Sequence, residues 1–405
     1  MNPILLTHYT ATTCLGVGNA ALLQALRDMR SGLAPCDFDT VNFPTWAGTV
    51  ASLDEVALPQ ALQHYDCRNN RLAQLGLQAD GFADAVRQAM QRHGADRVAV
   101  VLGTSTAGIY STELAYRERD AQTGVLPLHF HYAETHNTYS VGAFVKDWFS
   151  LQGPAEVVST ACSSSAKVFA SAARLLQAGL IDAVVVGGVD TLCLTTLYGF
   201  RSLGLTSANA CRPYDGARDG LSIGEAAAFA LVERAPEDRQ ALPAGSILLT
   251  GYGETSDAHH MSAPHPEGAG AQAAMQAALQ MAGLQPQEIG YINLHGTATP
   301  ANDLSEGRGV AAVFADHPDV PSSSTKGMMG HTLGAAGAVE AVVSALALQH
   351  GLLPASVGLQ TPDPAIPLNI VSVPQRLPSL RHVLSNSFGF GGSNASLVLS
   401  RREVA

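Results

Sequence analysis

Lysine is nearly missing from this chain. Of 23 basic residues in 405, only Lys146, Lys167 and Lys326 are lysine, and the rest are arginine. Codon bias alone can make lysine scarce, yet each one kept invites a reason. Charge as a whole is sparse, 14% of residues against about 25% in ordinary soluble domains. With 34 acidic residues the net charge is −11. That balance excludes non-specific nucleic-acid binding, which needs a cationic face. No run of 18 apolar residues occurs, so no membrane-spanning helix is expected. Met1–Thr7 lacks a basic segment followed by a long apolar one, and no signal peptide is expected. The six cysteines (Cys14, Cys36, Cys67, Cys162, Cys193, Cys211) contain no CxxC pair. This argues against a disulfide framework or zinc site and for a cytoplasmic protein with reduced thiols.

Apolar content is high, with 46% hydrophobic residues, and glycine is abundant at 39. Few charges and many small residues predict extensive burial, in a core and in a subunit interface. The length suggests two to three domains at about 150 residues each. Val98–Leu102, Val157–Val158 and Ala183–Val186 read as buried strands, and Ser163–Ala178 between the last two carries apolar residues at helical spacing. Strand, helix, strand in about 30 residues is a βαβ unit, which predicts a parallel sheet. The polar stretch 234–245, with two prolines, reads as a linker between halves 1–240 and 241–405. A second alternating block follows: helix Ala271–Ala282, strand Ile289–Leu294, helix Ala335–Leu348, then Val383–Leu384 and Leu397–Leu399 about a glycine-rich turn.

Four motifs carry chemistry. Val157–Ala166 puts Cys162 where a strand ends and a helix begins. Free N–H groups and positive partial charge there lower a thiol's pKa, although a small buried cysteine also occurs as a plain hydrophobe. Asn293–Glu306 places His295 after an apolar strand, before a turn rich in hydroxyls. Ser324–Glu340 sets Lys326 five residues before His331, and the next helix holds Glu340 inside an apolar run. A buried glutamate needs a cationic partner, and Lys326 is the candidate. Asn386–Asn394 is glycine-rich, so backbone N–H groups can approach a ligand or an oxyanion. His259, His260 and His265 sit among Met261, Pro264 and Pro266, which build no rigid ligand pair, and no metal site is expected.

Together and in this order, the motifs resemble those of the type I/II β-ketoacyl-acyl carrier protein synthases, a branch of the thiolase superfamily. The resemblance spans nearly the whole chain and rests on Thr160–Ser164, His295–Pro300, Lys326–His331 and Asn386–Asn394, with further similar stretches at Arg212–Asp215, Asp219-Gly220 and Ser256–Met261. It implies an α/β, five-layered αβαβα thiolase fold of two related halves, usually dimeric. It also implies a decarboxylative Claisen condensation on carrier-bound acyl chains. Cys162, His295 and His331 would form the Cys-His-His triad. The N–H groups of Cys162 and Phe390 would form the oxyanion hole, and Lys326 would orient His331, with Glu340 balancing its charge.

By the same resemblance, Asp303 and Glu306 support the loop. Thr297 and Thr299 bind the pantetheine arm, and Phe388, Ser262 and His260 border the substrate. Arg68, Arg71 and Arg201 are candidates for docking an acidic carrier protein. No metal or other cofactor is implied beyond the carrier's phosphopantetheine. The partners implied are acyl carrier protein and a second subunit, either identical or a chain-length factor. A second cysteine near the C-terminus, which thiolases use, is missing after Cys211, and His331 stands where type III synthases carry asparagine. Relatives commonly have a hydroxyl residue in place of Gly327 or Met329. Thr106, in the expected acyl-pocket stretch Gly103–Gly108, replaces a common aliphatic residue. That departure points to a dedicated polyene or polyketide system as the alternative to primary fatty acid elongation.

Overall fold

Period-two alternation along the strands sets the layers of this molecule. The computed structural model describes residues 2–236, 238 and 241–402. In Val98–Gly103, Val98, Val100 and Leu102 pack to one side of the sheet, and Ala99 and Val101 pack to the other. The first side meets helices Arg68–Leu77, Phe82–His93 and Ser140–Phe149. The second meets the central pair of helices, Ser164–Gln177 and Ala336–His350. Beyond that pair lie Val383, Leu397 and Leu399 of the other half's strands. Their opposite faces, with Ile292, Leu384 and Val398, are covered by helices Ala269–Ala282 and Pro300–Val313. The result is the expected αβαβα layering.

Ten of the strands form one sheet. In space they run Ser322–Ser323, Tyr291–Asn293, His382–Gly389, Ser393–Arg401, Ile247–Ser256, Ile4–Thr13, Ala226–Arg234, Ala183–Asp190, Val98–Gly103, Ala155–Val158. The middle joint is slight: Ile4–Leu6 pairs with Leu249–Ile247 over three residues. Outward from it, each side repeats two antiparallel and then two parallel pairings. This topological repeat matters for function. Cys162 lies just before the helix that follows one side's outermost strand, and His331 lies between the other side's outermost strand and helix Ala336–His350. Equivalent strand-to-helix turns therefore face each other across the two central helices.

Several expectations need correction. Val157–Val158, read as a buried strand, end the half-buried edge strand Ala155–Val158; valine content alone does not distinguish an edge from a centre. Ile4–Thr13, Ala226–Arg234 and Ile247–Ser256 were not anticipated as strands. Positions 237, 239 and 240 of the expected linker lie outside the described residues. The segment Leu333–His350 is long and apolar enough, by composition, to cross a membrane. It is 89% buried within the fold, which makes it a core helix rather than a span. All six cysteines are free thiols.

The two central helices cross where Gly337 faces Ala166. A Cβ on Gly337 would stand 2.5 Å from the Ala166 backbone nitrogen. Gly337→Val is expected to lower folding stability by about 1–3 kcal/mol through overpacking, read from the urea midpoint; an unchanged midpoint contradicts this packing.

Candidate active site

Cys162 stands on a sharp turn. Ala161 before it has φ 53°, a left-handed conformation that costs a non-glycine residue strain energy. The Ala161 carbonyl accepts the Ser164 N–H at 3.1 Å, the Ser164 Oγ hydroxyl at 2.5 Å and the Ser105 Oγ hydroxyl at 3.3 Å. These bonds fix the turn and leave Cys162 only 5% exposed. His331 is held by its backbone, which donates its N–H to Ser222 and accepts from Gly224. Its Nε2 lies 2.9 Å from Cys162 Sγ. Gly224 must lack a side chain here, since a Cβ would stand 2.0 Å from the Met329 carbonyl oxygen.

His295 comes from the turn after Tyr291–Asn293. Glu306 fixes that turn: its carboxylate accepts the N–H groups of His295 and Gly296, both at 2.8 Å, and the Tyr214 hydroxyl at 2.6 Å. Asp303 accepts the backbone N–H groups of Ala298 and Tyr214. Both carboxylates are therefore loop supports, as expected, and Tyr214 joins them. Lys326 is fully engaged. It pairs with buried Glu340, donates to the His295 carbonyl at 2.5 Å, and lies 3.5 Å from His295 Nδ1. Glu340 also accepts the Ser387 hydroxyl at 3.0 Å. The expectation that Lys326 orients His331 is thus corrected: the contacts run to His295. The two imidazoles stand edge to face, with ring centres 5.2 Å apart.

Burial sets the protonation states. It pushes the Cys162 thiol up to about 12, against the opposing pull of the Lys326 ammonium and the Phe390 N–H. This reverses the lowered thiol expected from a helix start, because desolvation outweighs those two contributions. Burial and then Lys326 hold His331 well below the ordinary imidazole range, and burial, Lys326 and His331 do the same for His295. Both rings are neutral at pH 7. The resting contact is a thiol donating to the His331 Nε2 lone pair, rather than a thiolate–imidazolium pair. The ammonium beside Nδ1 leaves His295 with its proton on Nε2.

A cavity opens onto Cys162, His295 and His331. Phe388, Phe390, Thr297, Thr299 and Ser262 also line it, as the sequence suggested. The Phe200 ring, unanticipated, stands 5.4 Å from that of Phe390. Three expected residues lie outside this cavity. His260 is exposed outside the cavity and accepts the Ser262 backbone N–H. The Thr106 hydroxyl is bound to buried Asp190 at 2.7 Å, and Thr106 faces a separate cavity with Ser105, Ile109, Tyr132 and His136. Arg68 is buried, bonded to Glu225 at 2.6 and 2.8 Å and to Asp54 at 2.6 Å, so it cannot dock a partner.

Arg71 forks onto Asp66 at 2.6 and 2.7 Å, whereas Arg201 is exposed, its guanidinium 5.4 Å above the Phe43 ring. Lys167 is half-buried, and the carboxylate near it, Glu254, is bonded to Arg174 at 2.6 Å. Among the described residues, one group of three metal-type donors converges. It is Cys162, His295 and His331, within 4.8 Å of one another. The neighbouring Lys326 ammonium opposes a second cation there.

Residues 1–238 match the model of the β-ketoacyl synthase N-terminal domain, and residues 247–360 match that of the C-terminal domain. The chain belongs to the β-ketoacyl synthase family, and is a condensing acyltransferase. A 3-oxoacyl-[acyl-carrier-protein] synthase 2 of Coxiella burnetii is 33% identical, with 98% of each chain covered. One from Vibrio cholerae is 31% identical over 93% of this chain and 94% of its own. Among solved structures, the ketosynthase ApeO of Xenorhabdus doucetiae, in complex with its chain length factor ApeC, is 36% identical, with a TM-score of 0.88 over 99% of this chain and 98% of its own. The ishigamide ketosynthase/chain length factor is 26% identical, with a TM-score of 0.89 over 99% of each chain.

A thiol with a pKa of about 12 stays protonated far above neutrality. Iodoacetamide inactivation at Cys162 is expected to accelerate with pH beyond pH 9, since only the thiolate alkylates. A rate plateau reached below pH 8 contradicts the neutral resting pair.

Proposed function

We propose that Cys162 accepts an acyl chain from acyl carrier protein and condenses it with a malonyl unit held on a second carrier. The observation that carries this reading is the 2.9 Å contact between Cys162 Sγ and His331 Nε2 in a pocket shared with His295. Sγ attacks the acyl thioester carbonyl as His331 Nε2 takes the thiol proton. The backbone N–H groups of Cys162 and Phe390 stabilise the oxyanion. The carrier's thiolate departs and receives the proton, leaving an acyl-Cys162. His331 Nε2 then has no thiol proton to accept, and the other neutral tautomer offers an N–H to the pocket.

Malonyl-carrier protein enters with its pantetheine arm along Thr297 and Thr299. His295 Nε2–H and His331 Nε2–H meet the thioester oxygen, where charge grows as carbon dioxide leaves. The resulting enolate carbon attacks the acyl-Cys162 carbonyl. Collapse of that adduct expels the Cys162 thiolate, which is reprotonated from solvent through His331, and frees the β-ketoacyl product. The chemistry requires no metal or resident cofactor, only the carriers' phosphopantetheine. Arg71 and Arg201 are the remaining arginine candidates for carrier docking. We place the protein in the cytoplasm and divide it at about residue 240 into a half bearing the nucleophile and a half bearing the histidines.

A second reading assigns the same chemistry to a dedicated polyene or polyketide system, with a chain-length-factor subunit completing a heterodimer. The likeness to a ketosynthase solved with its chain length factor supports it, at 36% identity over 99% of this chain. Primary fatty acid elongation by a homodimer is the other setting. Co-purification with a cysteine-less homologous subunit distinguishes them.

Intact-mass spectrometry after incubation with acyl-carrier protein is expected to show one acyl adduct, lost in Cys162→Ala; an adduct that survives this substitution refutes the role. Separately, His295→Ala is expected to reduce carbon dioxide release from malonyl-carrier protein by about 100-fold or more, in line with the loss of an oxyanion donor. Release at the wild-type rate removes His295 from the decarboxylation step.

A further inference from the structure

Helix Leu194–Ser202 carries Phe200, and Cys193, which precedes it, supplies no side-chain cap. The cap comes from a different helix. Glu113, on Ile109–Arg117, accepts the N–H of Leu194 at 2.9 Å, the N–H of Thr195 at 2.7 Å and the Thr195 hydroxyl at 2.6 Å. A carboxylate at a helix start satisfies free N–H groups and complements the positive end of the helix. Further along, this helix is held by Arg201 above Phe43 and by the Tyr198 hydroxyl, which donates to the Thr40 carbonyl at 3.1 Å or to Asn42 Oδ1 at 3.0 Å.

Phe200 lines the catalytic cavity and packs on Phe390, whose N–H faces Cys162. Helix Ile109–Arg117 starts at the second cavity, where Ile109 is in the wall together with Ser105, whose hydroxyl bonds the Ala161 carbonyl beside the nucleophile. Glu113 therefore ties the helix that carries Phe200 to the helix that starts at the second cavity.

We infer that Glu113 is a positioning residue for acyl transfer: by capping Leu194–Ser202 it sets Phe200 against Phe390 and so holds the Phe390 N–H at Cys162. This rests on the proposal that Cys162 is acylated. Malonyl decarboxylation depends on His295 and His331, which Glu113 does not touch. A loosened Phe200 wall slows attack on the acyl thioester and spares decarboxylation, because small displacements of an aligned donor are costly in rate.

The test compares the full chain with Glu113→Ala, Glu113→Gln, Phe200→Ala and the Glu113→Ala/Phe200→Ala double variant. Single-turnover acylation of Cys162 by acyl-carrier protein and carbon dioxide release from malonyl-carrier protein are measured on each. Glu113→Ala is expected to slow acylation about tenfold. Glu113→Gln, which keeps one accepting oxygen, is expected to recover part of that loss. Decarboxylation stays within about twofold in both, and the double variant is no slower to acylate than Phe200→Ala. Unchanged acylation in Glu113→Ala, equal loss of both activities, or additive effects in the double variant overturns the inference while the acylation reading stands. A wild-type chain that forms no adduct at all overturns that reading and this inference with it.

Discussion

The buried ion pair between Lys326 and Glu340 is the contact on which the site depends. Both side chains are almost wholly enclosed, at 3% and 4% exposure, where an unpaired charge is very costly. Pairing removes that cost only because each partner is also hydrogen-bonded. Lys326 reaches the His295 carbonyl and ring, and Glu340 holds the Ser387 hydroxyl. One pair therefore joins the Lys326 turn, the His295 turn, the central helix Ala336–His350 and the strand that leads into the Phe390 turn. Burial presses the Glu340 carboxyl up to about 7, with the ammonium pulling it back. The same burial and the same ammonium keep both histidines neutral. The charge that stabilises the framework thus also sets the chemistry of the imidazoles.

The fold makes this convergence possible by repetition. Each side of the sheet repeats one pairing pattern, and each sends a helix from its outermost strand into the shared central layer. Small residues at the crossing, Gly337 on Ala166 and Gly188 on Ser165, let the central helices and the sheet approach closely. The helix that begins beside Cys162 and the helix that carries Glu340 are neighbours because no side chain separates them at that point. Low charge content and abundant glycine, evident from composition, are the sequence-level marks of this double-sided burial.

What could be read beforehand follows what is local. The motif order, the βαβ unit about Cys162 and the Lys326–Glu340 partnership all depend on residue type and short spacing, and the structure contains them. The misread features depend on long-range packing. Arg68 looks like a surface cation until Glu225, far away in sequence, encloses it. Thr106 lines a cavity, as its motif suggests, but one apart from Cys162, and distant Asp190 takes its hydroxyl. His260 is exposed outside the cavity, whereas Ser262, two residues on, lines it. The thiol's raised pKa is a property of total burial, which no helix-start motif encodes. Glu113 had no local signal, because the helix it caps begins 81 residues later, as the Leu194 contact records.

The most direct test of the central claim is a double-mutant cycle on the ion pair, read by urea unfolding of wild type, Lys326→Met, Glu340→Gln and the double variant. Each single substitution should cost about 3–5 kcal/mol by leaving a buried group unpaired. The double variant should fall short of their sum by about 2 kcal/mol or more. Losses that add to within about 0.5 kcal/mol would show that the two side chains act independently and contradict the account.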